Sequence, residues 1–199
     1  MFKVAQDGWL TDARACPSPH FNARPAGEDI SLLVIHNISL PPGQFGGGFV
    51  QQFFAGQLDP DRHPYFALIA SMRVSAHFLI ERDGSLFQFV SCLDRAWHAG
   101  ASRFGDRPGC NDYSIGVELE GTDTEAYTAA QYLTLTELTR ALQAAYPAIT
   151  PYRITGHEFI APRRKSDPGP AFDWQHYLRA LTGHRDMSDR ASPDQRSSA

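Results

Sequence analysis

The sequence predicts an α/β domain, a central mixed β-sheet with helices packed on it, and three observations carry the prediction. Short apolar runs of strand length recur through the first two thirds of the chain. The dipeptide Asp83-Gly84 lies between two of them, and after Thr128 leucines repeat at helical spacing. Strand-length runs combined with helix-period stripes are the pattern of a sheet covered by helices.

Taken in order, Leu32-Leu-Val-Ile35 leads into His36-Asn37 and then the turn-rich Pro41-Pro42-Gly43. It reads as a buried strand that delivers its last residues to a sheet edge or mouth. Gly46 to Ala55 reads as a helix whose start is blurred by three consecutive glycines. Ala76-His-Phe-Leu-Ile80 and Leu86-Phe-Gln-Phe-Val90 flank Asp83-Gly84 as the two arms of a β-hairpin. Ser114 to Glu120 alternates, with Ile115, Val117 and Leu119 on one face. Thr128-Ala-Ala-Gln131 has the form of a capping box. The stripe Leu135, Leu138, Leu142 and Ala145 follows, and Pro147 ends it. A shorter helix is expected after Asp173, from Trp174 to about Leu181. The connections at 40–48, 56–74 and 94–112 are long for linkers, and loops of that kind usually build sites.

At 199 residues the chain fits one domain with a full core. Residues 1–184 are assigned to it, and 185–199 to a disordered tail, because that segment lacks aromatic and β-branched residues to offset its ordering entropy. A net charge of −4 argues against a nucleic-acid or anionic-membrane partner, either of which favours a basic face. No stretch approaches the ~18 apolar residues of a membrane span, and Met1 to Leu10 lacks a signal-peptide core. Cys16, Cys92 and Cys110 cannot all pair within one chain, and none sits in a C-x-x-C arrangement. The expectation is a reduced, cytoplasmic compartment and a monomer.

Of eight histidines, His20, His63, His176 and His184 stand in polar, loop or helical surroundings without a companion donor and are read as ordinary polar residues. His77 opens a strand and belongs to core or cleft; His98, beside Trp97, suits a binding wall. His36 and His157 stand out. His36 ends a strand on the face of Leu32 and Val34, and that end of an α/β sheet commonly opens onto a crevice. His157 begins an irregular stretch rich in Pro, Gly and charge, in which Asp167 is stiffened by Pro168 and Pro170. Two imidazoles and a carboxylate are a common three-ligand set for catalytic zinc, although spacing alone permits many such triples. Glu118 shares a strand face with Ser114 and Gly116, small residues expected to leave open space beside it. It reads equally as a general base facing a cleft or, with Glu120, as a solvated surface carboxylate.

Five strings carry a resemblance. They are Leu33-Val-Ile-His-Asn-Ile-Ser-Leu-Pro-Pro-Gly43, Arg73-Val-Ser-Ala-His77, Arg95-Ala-Trp-His-Ala-Gly100, Cys110-Asn-Asp-Tyr-Ser-Ile-Gly-Val-Glu-Leu-Glu-Gly-Thr-Asp123 and Lys165-Ser-Asp-Pro-Gly-Pro-Ala-Phe-Asp-Trp174. In that order, between about Gly8 and Leu181, they resemble the zinc N-acetylmuramoyl-L-alanine amidases. The family also includes phage lysozyme-like amidases and peptidoglycan recognition proteins.

The resemblance implies one zinc ion held by His36, His157 and Asp167 in a cleft between long loops. It implies Glu118 as proton acceptor, Lys165 as the group that stabilises the transition state, and Asn37, Arg73 and Trp97 as substrate contacts. The implied reaction is hydrolysis of the amide between the lactyl group of (1,6-anhydro)-N-acetylmuramic acid and L-alanine. With no export signal, the expected substrate is a small muropeptide recycled in the cytoplasm. Two positions depart from the family pattern: Phe159 stands where Asp is common, and Gly109 where Arg precedes the Cys-Asn pair, with Arg107 placed to compensate. Two rival classes are a muropeptide-binding module lacking a ligand and a structural zinc protein. The full ligand set speaks against the first, and the absence of a cysteine neighbouring any proposed ligand speaks against the second.

Overall fold

The computed structural model of the chain describes residues 2–183; the expected tail at 185–199 lies outside the described residues. The strands are β1 (Arg14–Ala15), β2 (Phe21–Ala23), β3 (Leu32–Ile38), β4 (Phe78–Ile80), β5 (Leu86–Gln88), β6 (Asp94–Ala96), β7 (Arg103–Phe104), β8 (Arg107–Pro108), β9 (Ser114–Glu120) and β10 (Ile154–Gly156). The helices are α1 (Phe49–Phe54), α2 (Pro64–Ile69), α3 (Ala129–Ala145), α4 (His157–Ile160) and α5 (Trp174–Thr182). Six strands form one sheet in the order β1-β5-β4-β9-β3-β10. Only β4 and β5 run antiparallel there, through the Asp83-Gly84 turn; the other pairs are parallel. The mixed sheet flanked by helices is the predicted class.

One face of the sheet is the main core. Leu33, Ile35, Ile115, Val117, Leu119, Phe78 and Ile80 pack under Leu135, Leu138 and Leu142 of α3 and Tyr177 of α5. At about 25 cal/mol per Å² of apolar surface, burying this many side chains is the main term holding helices to sheet. The capping box forms: Thr128 Oγ1 accepts from the Gln131 N–H, and Gln131 Oε1 accepts from the Thr128 N–H. Ala145 closes the helix but is exposed, so the stripe ends at Leu142.

The opposite face carries two smaller apolar clusters. Phe53, Phe54 and Phe66 of α1 and α2 cover Leu79 and Phe89. Leu32 and Val34 pack with Tyr113, Cys110 and Ile160. The gap between those clusters, at the carboxyl ends of the parallel strands, is where ligands bind in such sheets.

Two local readings change. The helix expected from Gly46 begins at Phe49, because Gly46, Gly47 and Gly48 all take positive φ (77°, 75° and 71°), a conformation that excludes them from a right-handed helix. The 56–74 connection contains α2, whose N-terminus is capped by a side chain: His63 Nδ1 accepts from the Tyr65 N–H at 3.1 Å.

Candidate metal centre and active site

His36 and Glu118 are register partners across β3 and β9. In parallel pairing, partners point to the same face about 4.8 Å apart, so two adjacent strands deliver an imidazole and a carboxylate side by side. β10 pairs with the other edge of β3, and His157 follows its last residue as α4 begins. Gly156 makes room for the third contributor: a Cβ there would lie 2.8 Å from the Pro168 ring. The loop carrying Asp167 therefore closes over the strand end. It is fastened by Tyr127 Oη donating to the Pro168 carbonyl at 2.8 Å and by Asn37 Nδ2 donating to Asp123 Oδ1 at 2.8 Å and to that same carbonyl at 3.2 Å.

The three predicted ligands converge. His36 Nδ1 lies 3.0 Å from His157 Nδ1 and 2.9 Å from Asp167 Oδ2, and His157 Nδ1 lies 3.1 Å from the same oxygen. Four-coordinate zinc at about 2.0–2.1 Å from each ligand sets neighbours about 3.3–3.4 Å apart, so the atoms need part by only about 0.3 Å. The donor chemistry agrees. His157 Nε2 donates to the Ala99 carbonyl at 3.1 Å, which leaves its Nδ1 as a lone pair facing the centre. Burial lowers the His36 pKa to about 4, keeping the imidazole neutral as a ligand must be. Burial alone would raise the Asp167 carboxyl, but hydrogen bonds to His157 and His36 outweigh it and hold the group ionised, well below the usual carboxylate range. Among the described residues these three form a group able to hold a metal ion.

The centre floors a groove of about 370 Å³. Glu118 and Lys165 line it with the three ligands, and Leu40, Phe53, Tyr65, Met72 and Val74 make an apolar wall that the sequence reading did not assign. Neither surface reading of the strand carboxylates holds: Glu118 is 9% exposed and Glu120 is 4% exposed. They do different work. Glu120 accepts from the backbone N–H groups of Gly46 and Arg82, so it staples a loop. Glu118 Oε2 is buried without a hydrogen-bond partner among the described residues. Burial and the Asp167 charge push the Glu118 carboxyl well above the ordinary glutamate value, while Lys165 pulls the other way. A partnerless buried carboxylate oxygen costs free energy and is characteristic of a group kept ready for protons.

The expected open space beside Glu118 is occupied: the His98 ring lies over Gly116, within 2.5 Å of where a Cβ would stand. His98 and His77 are unsuited to serve as bases, because both nitrogens of each are engaged with protein groups. Trp97 lines the groove with its indole N–H on Asn22 Oδ1 at 2.6 Å and its ring stacked on His20. Asn37 lines it too, with its amide nitrogen donating to Asp123 Oδ1 and to the Pro168 carbonyl of the Asp167 loop. Arg73 is exposed between Met72 and Val74 of the wall. Phe159 is 62% exposed and packs on Trp174, and Gly109 caps a 3-10 turn at φ 72°. Arg107 lies over the Tyr113 ring and pairs with Glu28.

The sequence profile of the family described as N-acetylmuramoyl-L-alanine amidase matches residues 26–170. The 1,6-anhydro-N-acetylmuramyl-L-alanine amidase AmpD of Salmonella typhimurium (strain SL1344) is 58% identical over 183 residues, covering 91% of this chain and 97% of that protein. A crystal structure of a selenomethionine AmpD derivative superimposes with a TM-score of 0.85 at 58% identity, covering 88% of this chain and 97% of that one. The amidase AmiD from E. coli, solved with the substrate anhydro-N-acetylmuramic acid-L-Ala-D-gamma-Glu-L-Lys, superimposes with a TM-score of 0.58 at 27% identity, covering 89% of this chain and 65% of that one. A match across most of the chain, over the same segments that build the centre, means that the chain belongs to the N-acetylmuramoyl-L-alanine amidase family.

Proposed function

We propose that the protein is a zinc-dependent amidase that cleaves the bond between the lactyl group of 1,6-anhydro-N-acetylmuramic acid and L-alanine in small muropeptides. The observation that carries this reading is the convergence of His36, His157 and Asp167 within 3.1 Å beside the partnerless Glu118 Oε2, at the floor of an open groove. The chemistry of its relatives, AmpD by name and AmiD by its bound substrate, supplies the substrate class. Zinc, when bound, supplies Lewis acidity at the scissile carbonyl and at the attacking water.

The chain's own residues do the rest. Glu118 takes the proton of the attacking water and returns it to the nitrogen of the departing L-alanine. Lys165 lines the groove beside Glu118 and the three ligands, so its ammonium meets the negative charge that develops on the carbonyl oxygen. Trp97 and the apolar wall hold the sugar and peptide, with Asn37 and Arg73 as further contacts. Three free cysteines suit a reducing compartment, and no helix among the described residues is long and apolar enough to cross a membrane. A monomer in the cytoplasm, acting on recycled muropeptides, is the setting we assign.

The test is mass spectrometry of products from a purified anhydro-muropeptide, paired with metal analysis. The expected result is about one zinc per chain, release of intact stem peptide, and loss of release on chelation until zinc is restored. A protein that binds the muropeptide with zinc present and releases nothing is a binding module, and the proposal fails.

A further inference from the structure

His98 is neither a ligand of the candidate centre nor a free groove residue. Its Nδ1 lies 2.9 Å from His36 Nε2, and its own Nε2 lies 3.1 Å from Ser114 Oγ. The ring meets His36 edge-on, with centroids 5.0 Å apart and planes at 88°. Its backbone N–H and that of Ala99 both donate to Asn111 Oδ1, which fixes the loop that carries it. Beneath the ring is Gly116, whose φ is not in the positive region, so conformational freedom does not account for this glycine. Space does: a Cβ would stand 2.5 Å from both Cγ and Nδ1 of His98.

The hydrogen-bond chain can run in either direction, according to whether the proton of neutral His36 stands on Nε2 or on Nδ1. A cation at that atom needs its lone pair, which moves the proton to Nε2. His98 Nδ1 must then accept, and its Nε2–H must donate to Ser114 Oγ. Only one proton arrangement satisfies all three side chains at once. His157 reaches the same tautomer through the Ala99 carbonyl. The two histidine ligands are therefore oriented by unlike acceptors, one a backbone carbonyl and one a second imidazole.

We propose that His98, held by Ser114 over the space left by Gly116, is the positioning residue that fixes the tautomer and orientation of His36 for metal binding. The inference rests on the zinc reading above. Outer partners of this kind typically contribute ~10–100-fold in metal affinity.

Zinc dissociation constants from chelator competition, with the visible absorption of the cobalt-substituted protein, test it on the full chain. His98→Ala should bind zinc about 10–100-fold more weakly than wild type and alter the cobalt bands. Gly116→Ala should do likewise, because its methyl displaces the ring while all three ligands stay in place. In His98→Asn the side-chain oxygen stands near the position of Nδ1 and accepts from His36, so affinity should recover to within a few-fold of wild type.

Wild-type affinity in His98→Ala overturns the inference and leaves the zinc reading intact. Asparagine as weak as alanine overturns it too, since the loss is then general packing. If His98→Ala does not fold, the asparagine and Gly116→Ala variants decide. A wild-type protein that binds no zinc overturns the metal reading and this inference together.

Discussion

Glu118 shows how a single side chain can be costly to the fold and still suit the chemistry proposed for it. Its folded-state pKa lies well above the ordinary glutamate value, first through burial and then through the Asp167 charge. Below the unfolded pKa of about 4.3 both states hold the proton and nothing is lost. Above it the unfolded chain ionises more readily, so this group lowers stability as pH rises. Glu118→Gln removes that penalty while keeping the shape. The metal-free variant should therefore melt at a higher temperature than wild type at pH 7, with the gap closing near pH 4. With zinc restored, its metal content should equal wild type and hydrolysis should fall by at least about 10²-fold, the lower range for lost acid–base catalysis. A lower melting temperature at pH 7, or retained hydrolysis, would remove Glu118 from this role. Alternation placed Glu118 and Glu120 on one strand face and could not separate them; only the resemblance singled out Glu118. That distinction depends on which loops fold over each carboxylate, and alternation along β9 carries no record of it.

Glu120 belongs to the joint between elements. Its carboxylate accepts from the Gly46 and Arg82 N–H groups, and its carbonyl accepts from Gln131 Nε2 at 2.9 Å. Gln131 also donates to the Ile80 carbonyl, so the first turn of α3 ties together the ends of β4 and β9. Gly46 is exposed and Arg82 half-buried, so each of these hydrogen bonds contributes a net of about 0.5–1.5 kcal/mol. Glu120→Ala loses two such bonds and should accordingly lower stability by roughly 1–3 kcal/mol in denaturant unfolding. Proteolytic cleavage should increase near the Gly46–Gly48 turn while zinc content stays unchanged. Cleavage that spreads evenly over the chain would mean that the carboxylate does not hold this loop. The elements legible in advance were those whose pattern is self-contained: β3 and β9 from apolar runs, the β4–β5 hairpin from Asp83-Gly84, and α3 from its capping box. The short edge strands β1, β2, β6, β7 and β8 and the six-residue α2 were not, because their hydrogen bonds and the His63 cap depend on partners distant in the chain or on local geometry, not on periodicity.

The candidate centre joins segments that nothing else in the sequence connects, at residues 36, 157 and 167, and that is why spacing alone could not pick them out. The resemblance implied this set, and the parallel register of β3, β9 and β10 explains how the three side chains meet. The same geometry links metal to the fold as a whole. An ion that binds three side chains assembled only in the folded chain stabilises it by RT ln(1 + [L]/Kd), about 4 kcal/mol at a thousandfold excess over Kd. For a chain of this size each kcal/mol moves the melting temperature by roughly 2–4 °C. Zinc-loaded protein should therefore melt about 8–16 °C above chelated protein, and intermediate free zinc should trace the logarithmic rise between them. Asp167→Asn removes the ionised ligand oxygen, so its melting temperature should be nearly independent of zinc. Hydrogen exchange should place the protection gained on metal binding at the end of β3 and across 156–170. Those are the stretches the ion would bridge, whereas α3 and its contacts with Leu33, Val117 and Tyr177 are packed without it. A melting temperature that ignores both chelator and zinc would mean that these three side chains are held by one another alone, with protons between them in place of an ion.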